Sequence, residues 1–405
     1  MTPEIRFKGY TQDWEQRKLE NITLKIGSGK TPKGGSTVYV ESGIPLLRSQ
    51  NIHSNKVNFE DVVYITEDIN KQMLNSSVLK DDVLLNITGA SIGRSAVYTA
   101  DIPANVNQHV CIIRPNQEGN SFFIQLNIVS TKGQKEIDIN QAGGGREGLN
   151  FQQISKMTFS YPSIEEQMQI GSFFKQLDET IALHQDKLEK LKQLKKGYMQ
   201  LLFPEKDEKI PSLRFANFSK DWEKRKLGDM LEERNEQIPE KEEYPLMSFV
   251  QGVGVTPKGD RYDRSFLVKD NNKKYKKTEL RDFIYSSNNL ETGSIGFNKI
   301  GKAVISPVYS IFSSKNKLES QFIGILSTRK DFINKMIHFR QGVVYGQWRI
   351  HEKDFLSIEI FVPSSEEQRK IISFFKQLDE IIALHHDTVE KLKQLKEIYL
   401  QKLFI

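Results

Sequence analysis

The chain has 405 residues, one cysteine, and 58 Lys and Arg against 52 Asp and Glu, for a formal charge of +6. That length accommodates two or three domains with their own cores, and one cysteine excludes a disulfide framework or a Cys-rich metal centre. The mild basic excess (pI 9.0) suits a polyanionic partner. The thiol content points to a reducing cytoplasm, and no signal-peptide core or run of about 18 apolar residues occurs, so no membrane association is expected.

Near the start, RFKGYTQDWEQRKL (6–19) precedes GSGKT (27–31), which carries most letters of a phosphate-binding loop. Leu24 stands where that loop needs its first glycine, and Pro32, Lys33, Gly34 and Gly35 follow where a helix must open. A turn is expected there rather than a nucleotide cradle. Short β-branched runs bounded by Gly, Pro or Asn come next, VLLNITGASIGRSAVY (83–98) and VCIIRP (110–115), and predict strands. Between them lie polar and basic residues of the types that bond base edges or phosphates: Lys30, Lys33, Arg48, Gln50, Asn51, His53, Arg94, Asn105, Asn107, Gln108, His109 and, in GGGREG, Arg146.

Residues 161–204 predict a long helix. Ser163 and Glu166 form a capping-box pattern after Pro162, and Phe174, Leu177, Ile181, Leu188 and Leu191 recur on one face before Pro204. A second half repeats the plan. RFANFSKDWEKRKL (214–227) matches the opening, and residues 373–404 match 172–203 at 24 of 32 positions, far beyond chance. Ser364 and Glu367 repeat the cap, and Phe375, Leu378, Ile382 and Leu392 repeat the stripe. Spanning about 57 Å at ~1.5 Å per residue, such helices predict an antiparallel coiled coil.

The stretches between these repeats, 23–160 and 231–361, are unlike each other. The second contains KAVISPVYSIF (302–312) and FIGILST (322–328), read as strands, and a cationic run including Lys258, Arg261, Arg264, Lys269, Lys273, Lys274, Lys276, Lys277 and Arg281. Tyr345, Gln347 and Arg349 follow in YGQWR. Two mixed α/β inserts on a duplicated helical scaffold are expected, an α+β chain divided at 1–160, 161–204, 205–361 and 362–405. No H-E-x-x-H, G-x-S-x-G, paired-Cys or amino-methyltransferase motif occurs, so neither a catalytic site nor a metal site is expected in this chain.

The two P-[ST]-x-E-E-Q stretches leading into repeated helices, together with GSGKTPKGG, GIPLLRSQNI and NVNQHVCIIRP, resemble the DNA-specificity subunit of type I restriction-modification systems. The resemblance implies that each insert is a target recognition domain reading one half of a split double-stranded DNA site, and that the helices act as ruler and docking surface. Their partners would be two modification subunits that carry S-adenosylmethionine and methylate a flipped adenine, with restriction subunits, ATP and Mg joining through them. The helix residues named above are then the expected partner-binding set, and this chain binds no cofactor. A coiled-coil scaffold for protein or RNA without base readout is the alternative, and an ATP site dependent on Lys30 is the third reading.

Overall fold

The computed structural model describes residues 2–141, 148–205, 208–250, 252–257, 273–316, 318–342 and 348–404. They form two compact units, one of Met1–Asp186 with His386–Ile405 and the other of Lys187–His385. The two long helices, Ile164–Leu201 and Ser365–Leu403, each contribute to both units.

In the first unit, an antiparallel sheet runs in the order Thr23–Ser28, Val110–Pro115, Val83–Asn86, Ser95–Val97. A second sheet, Val63–Ile65, Ile44–Leu47, Ala104–Val106, Ser77–Val78, has one parallel pair at its centre. All four residues of Val83–Asn86 are buried, which explains why this strand reads as a continuous run instead of an alternating one. Helix Ser121–Val129, capped by the Asn120 side chain accepting from the Phe123 amide at 3.0 Å, sets Phe123 and Ile124 into the core beneath the sheet.

The second unit repeats this frame. Its main sheet runs Leu231–Glu233, Ser310–Ser314, Phe283–Tyr285, Ile295–Phe297, all antiparallel, and a second sheet joins Gln237–Pro239, Lys274–Thr278 and Ala303–Ile305. FIGILST is not a strand: its first five residues end helix Glu319–Leu326, with Phe322, Ile323 and Leu326 buried along one face, and Ser327 and Thr328 form the turn after it. Short apolar runs fit a buried helix and a buried strand equally well, and here packing decides. Gly324 permits the close approach, since a Cβ there would sit 2.3 Å from the Phe297 ring.

A buried aspartate opens the central strand of each main sheet, although the sequences around the two are unlike. The Asp82 carboxylate accepts from the Leu79 amide at 2.7 Å and from Arg114 Nε at 2.7 Å. Asp282 accepts from the Glu279 amide at 2.8 Å, and its guanidinium partner is Arg234, also at 2.8 Å. The preceding residues, Asp81 (φ 68°) and Arg281 (φ 73°), share a left-handed conformation. Arg114 lies in strand Val110–Pro115, whereas Arg234 follows strand Leu231–Glu233, so residue-by-residue comparison of the inserts misses the correspondence.

Where the repeats meet the units, equivalent residues make equivalent contacts. Ribbon Glu15–Lys18 pairs with Thr158–Tyr161 as Glu15↔Tyr161, and Glu223–Lys226 pairs with Glu359–Val362 as Glu223↔Val362, the same register. In P-S-x-E-E-Q, Glu166 is buried and held by Arg6 through two bonds of 2.7 Å, and Glu367 is held by Arg214 through two more of 2.7 Å. The expected capping box is therefore only half formed. Ser163 and Ser364 each accept the amide three residues on at 3.4 Å, but the glutamates face arginine.

Within the first unit, the start of one long helix meets the end of the other: Phe173 lies against Tyr399 (5.2 Å between ring centroids), and Lys396 Nζ donates to Asp178 at 2.7 Å. Within the second, Tyr198 lies against Phe374 (4.8 Å) and Lys195 pairs with Asp379. Each unit thus contains an antiparallel helix pair, with the same residues in exchanged roles. Phe404 closes the core around Trp14, Phe123 and Phe174, and Phe203 does so around Trp222, Phe322 and Phe375.

Candidate nucleic-acid interface

Strand register gathers the polar residues of the first unit at one end of its sheets. The pairs Cys111↔Ser28, Val110↔Asn86, Leu85↔Ser95 and Val106↔Leu47 bring segments 29–33, 48–51, 87–94 and 107–109 to the same strand ends. Gly29 makes this convergence possible, because a Cβ would lie 1.6 Å from the Val106 carbonyl oxygen. The Thr31 hydroxyl donates to Gln108 Oε1, Gln108 Nε2 meets His109 Nε2 at 3.1 Å, and His109 Nδ1 lies 2.6 Å from Thr88 Oγ1. Asn86 ties in the next segment by donating to the Ser49 carbonyl at 2.9 Å. Of this chain of contacts, sequence reasoning named Gln108 and His109 but not Thr31 or Thr88, which carry no local signal.

The candidates divide by exposure. Lys30, Lys33, Gln50, Arg94 and Gln108 are exposed, while Arg48 and Asn107 are half-buried. Lys30 donates to the Gln72 carbonyl at 3.0 Å, and a four-residue 3-10 turn, Gly35–Val38, follows the GSGKT stretch where a phosphate loop would open a long helix. Arg48 is partly committed, its Nη2 donating to the Asp61 carbonyl at 2.9 Å.

Asn51 is a correction. It is 2% exposed, accepts from the Arg48 amide at 2.9 Å and donates to the Asn58 carbonyl at 3.1 Å, so it builds a turn and cannot meet a base. Asn105 is buried beside Asn70 and is likewise structural. Arg146 lies outside the described residues.

In the second unit, Tyr285↔Ser310 and Tyr285↔Ile295 place segments 286–294 and 306–309 together, and Lys276↔Ile305 sets Lys273 and Lys274 at this same end. Both lysines are exposed. Arg349 is 57% exposed and lies 3.6 Å from Glu352. Others in the predicted cationic run serve the fold: Lys276 is buried, Lys277 pairs with Glu236 at 3.0 Å, and Arg281 occupies the turn at the far end of strand Phe283–Tyr285. Lys258, Arg261, Arg264, Lys269, Tyr345 and Gln347 lie outside the described residues.

The expected partner-binding stripe is corrected at its buried positions. Phe174 and Phe375 belong to the unit cores, Ile181, Leu188 and Leu378 are buried, and Leu177, Leu191, Ile382 and Leu392 are half-buried. A stripe at helical spacing is consumed by the chain's own packing. The helices' exposed apolar residues include Leu183 (66%) and its repeat Leu384 (65%), and Leu194 with its repeat Leu395, beside Met168, Leu201, Ile381 and Ile398.

Among the described residues, no cluster of His, Cys, Asp or Glu could hold a metal, and no helix is long and apolar enough to cross a membrane. Each half of the chain thus carries its own polar, cation-bearing set of strand ends on one duplicated frame, the arrangement of a protein with two binding modules. The chain belongs to the family described as type I restriction modification DNA specificity domain, whose model matches residues 11–193 and 219–394. It is a specificity chain, the non-catalytic component of such a system, with two recognition domains.

Over 402 residues it is 24% identical to a Methanocaldococcus jannaschii protein provisionally described as the type I restriction enzyme MjaX specificity subunit, covering 95% of this chain and 91% of that one. The EcoBI specificity subunit of Escherichia coli is 28% identical over 170 residues, 41% of this chain and 35% of the relative. The fold matches the crystal structure of the type I restriction-modification S subunit from M. genitalium with a TM-score of 0.65 at 15% identity, covering 100% of this chain and 99% of the other.

Proposed function

We propose that this chain reads a bipartite double-stranded DNA target in the cytoplasm, one half-site per unit, and that its paired helices set the spacer and dock two modification subunits. The observation that carries this reading is the exchange of helix ends, Asp178 with Lys396 and Lys195 with Asp379. Helices of 38 and 39 residues contribute to both units, as a fixed spacer requires. Leu183, Leu384, Leu194 and Leu395 supply the apolar docking face. S-adenosylmethionine, ATP and Mg belong to the partners, with restriction subunits joining through the modification subunits.

Inserting seven residues at equivalent points of both helices tests the ruler, because about two turns preserve the facing stripe. The addition of about 10.5 Å corresponds to roughly three base pairs at ~3.4 Å each. Methylome sequencing is expected to show both half-sites retained and the spacer lengthened by that amount; an unchanged spacer defeats the ruler.

Within the first half-site, Gln108 is held by Thr31 and His109, so its amide is oriented before DNA arrives. Gln108→Ala is expected to relax preference at one base pair by about 1–3 kcal/mol, while Lys33→Ala weakens all sequences alike and lowers the salt slope by about 1. Binding titrations at several salt concentrations distinguish the two. Equal behaviour of the variants would argue against Gln108 as a base reader.

A further inference from the structure

The second unit carries a half-exposed indole among its strand-end segments, at Trp348. It is 49% exposed, whereas Trp14 and Trp222 are each 2% exposed and lie in the cores. Its position is built. The Trp348 amide donates to Asn288 Oδ1 at 2.6 Å, and the Ile350 amide donates to Ser287 Oγ at 3.1 Å, anchoring the strand on the turn that follows Tyr285. The Arg340 guanidinium lies 5.8 Å from the ring centroid and is itself held by Glu291 through bonds of 2.6 and 2.7 Å.

Across the two-stranded ribbon, Trp348 faces Gly342, which offers no side chain to cover the ring. An exposed indole normally costs solvation and is uncommon without a partner. The Arg340 guanidinium lies over the ring, and about half of the indole stays accessible. Among the described residues, Lys273, Lys274 and Arg349 lie at the same strand ends, and Glu291 and Glu352 are engaged by Arg340 and Arg349.

We propose that Trp348 is a DNA-contacting residue of the second unit, laying its exposed indole against the sugar–phosphate backbone of the second half-site. The inference rests on the two-reader function and adds a specific contact to it. Contacts to sugar and phosphate carry no sequence information directly, so Trp348 contributes affinity more than base choice.

The test uses the full chain labelled with 5-fluorotryptophan and assembled with unlabelled modification subunits. The Trp348 fluorine resonance, assigned by its loss in Trp348→Phe, is expected to shift on adding a duplex with both half-sites, while the resonances of Trp14 and Trp222 stay in place. A duplex with a scrambled second half-site should shift it less. Trp348→Ala is expected to weaken target binding by roughly 5-fold or more, with Trp348→Phe closer to wild type. An unmoved resonance at saturating duplex, or wild-type methylation by Trp348→Ala, overturns the proposal while leaving the two-reader function standing. Absence of any bipartite methylation by the wild-type complex overturns both.

Discussion

Replacing residues 23–160 with the corresponding insert of another specificity chain is expected to change one half of the methylated motif completely and leave the other half unaltered. The exposed candidates of the first unit, Lys30, Lys33, Gln50, Arg94 and Gln108, all fall inside that stretch. The structural connections at its edge are generic. Backbone bonds pair Glu15–Lys18 with Thr158–Tyr161, and the core asks the insert for aromatic bulk at Phe123 and Phe159. Each mismatched base pair costs about 1–3 kcal/mol, roughly additively, so three changed positions shift preference by about 3–9 kcal/mol. Such a change is complete on the scale of a methylome. Single-molecule sequencing of cells carrying the hybrid reads it directly, and altered bases in both halves would refute independent readers.

Arg6→Ala is expected to be among the most damaging single changes outside the hydrophobic cores. Glu166 and Arg6 are joined by two bonds of 2.7 Å, with side chains 1% and 14% exposed. Removing the arginine strands a carboxylate that water cannot reach, at a cost of about 3–5 kcal/mol. Glu166→Ala should cost less, since the Arg6 head can turn outward to solvent. Against a typical total of about 5–15 kcal/mol, the larger loss lowers a melting midpoint by roughly 6–20 °C for a unit of this size. Arg214→Ala should match it, because Arg214 and Glu367 repeat the geometry with side chains 13% and 1% exposed. Substituting both partners by Met is expected to restore much of the stability. Calorimetry of the four variants tests this order, and equal midpoints for Arg6→Ala and the double variant would contradict it.

Periodic and local features were legible in the amino-acid order. The helices, their duplicated ends, the strands at Val83–Asn86 and Val110–Pro115, and the turn character of GSGKTPKGG follow from patterns spanning a few residues, where propensity and sterics act alone. Side-chain type announced Arg94 and Gln108 as candidates but announced Asn51 in the same terms, although Asn51 spends its amide on the Arg48 and Asn58 backbone. Whether a polar group is already satisfied depends on neighbours that only folding supplies.

Tertiary structure alone decided the rest. FIGILST became a helix because the surface available to it was the Phe297 face. The apolar stripes of the long helices were consumed by partners about 200 residues away in sequence. Two inserts without visible similarity arrived at one frame, with Arg114 serving Asp82 and Arg234 serving Asp282. Strand register brought Thr31 to Gln108 and Trp348 to Asn288, contacts across 77 and 60 residues. Pairings of that range leave no periodic trace, because each end is constrained by the sheet it joins and not by its own flanking residues.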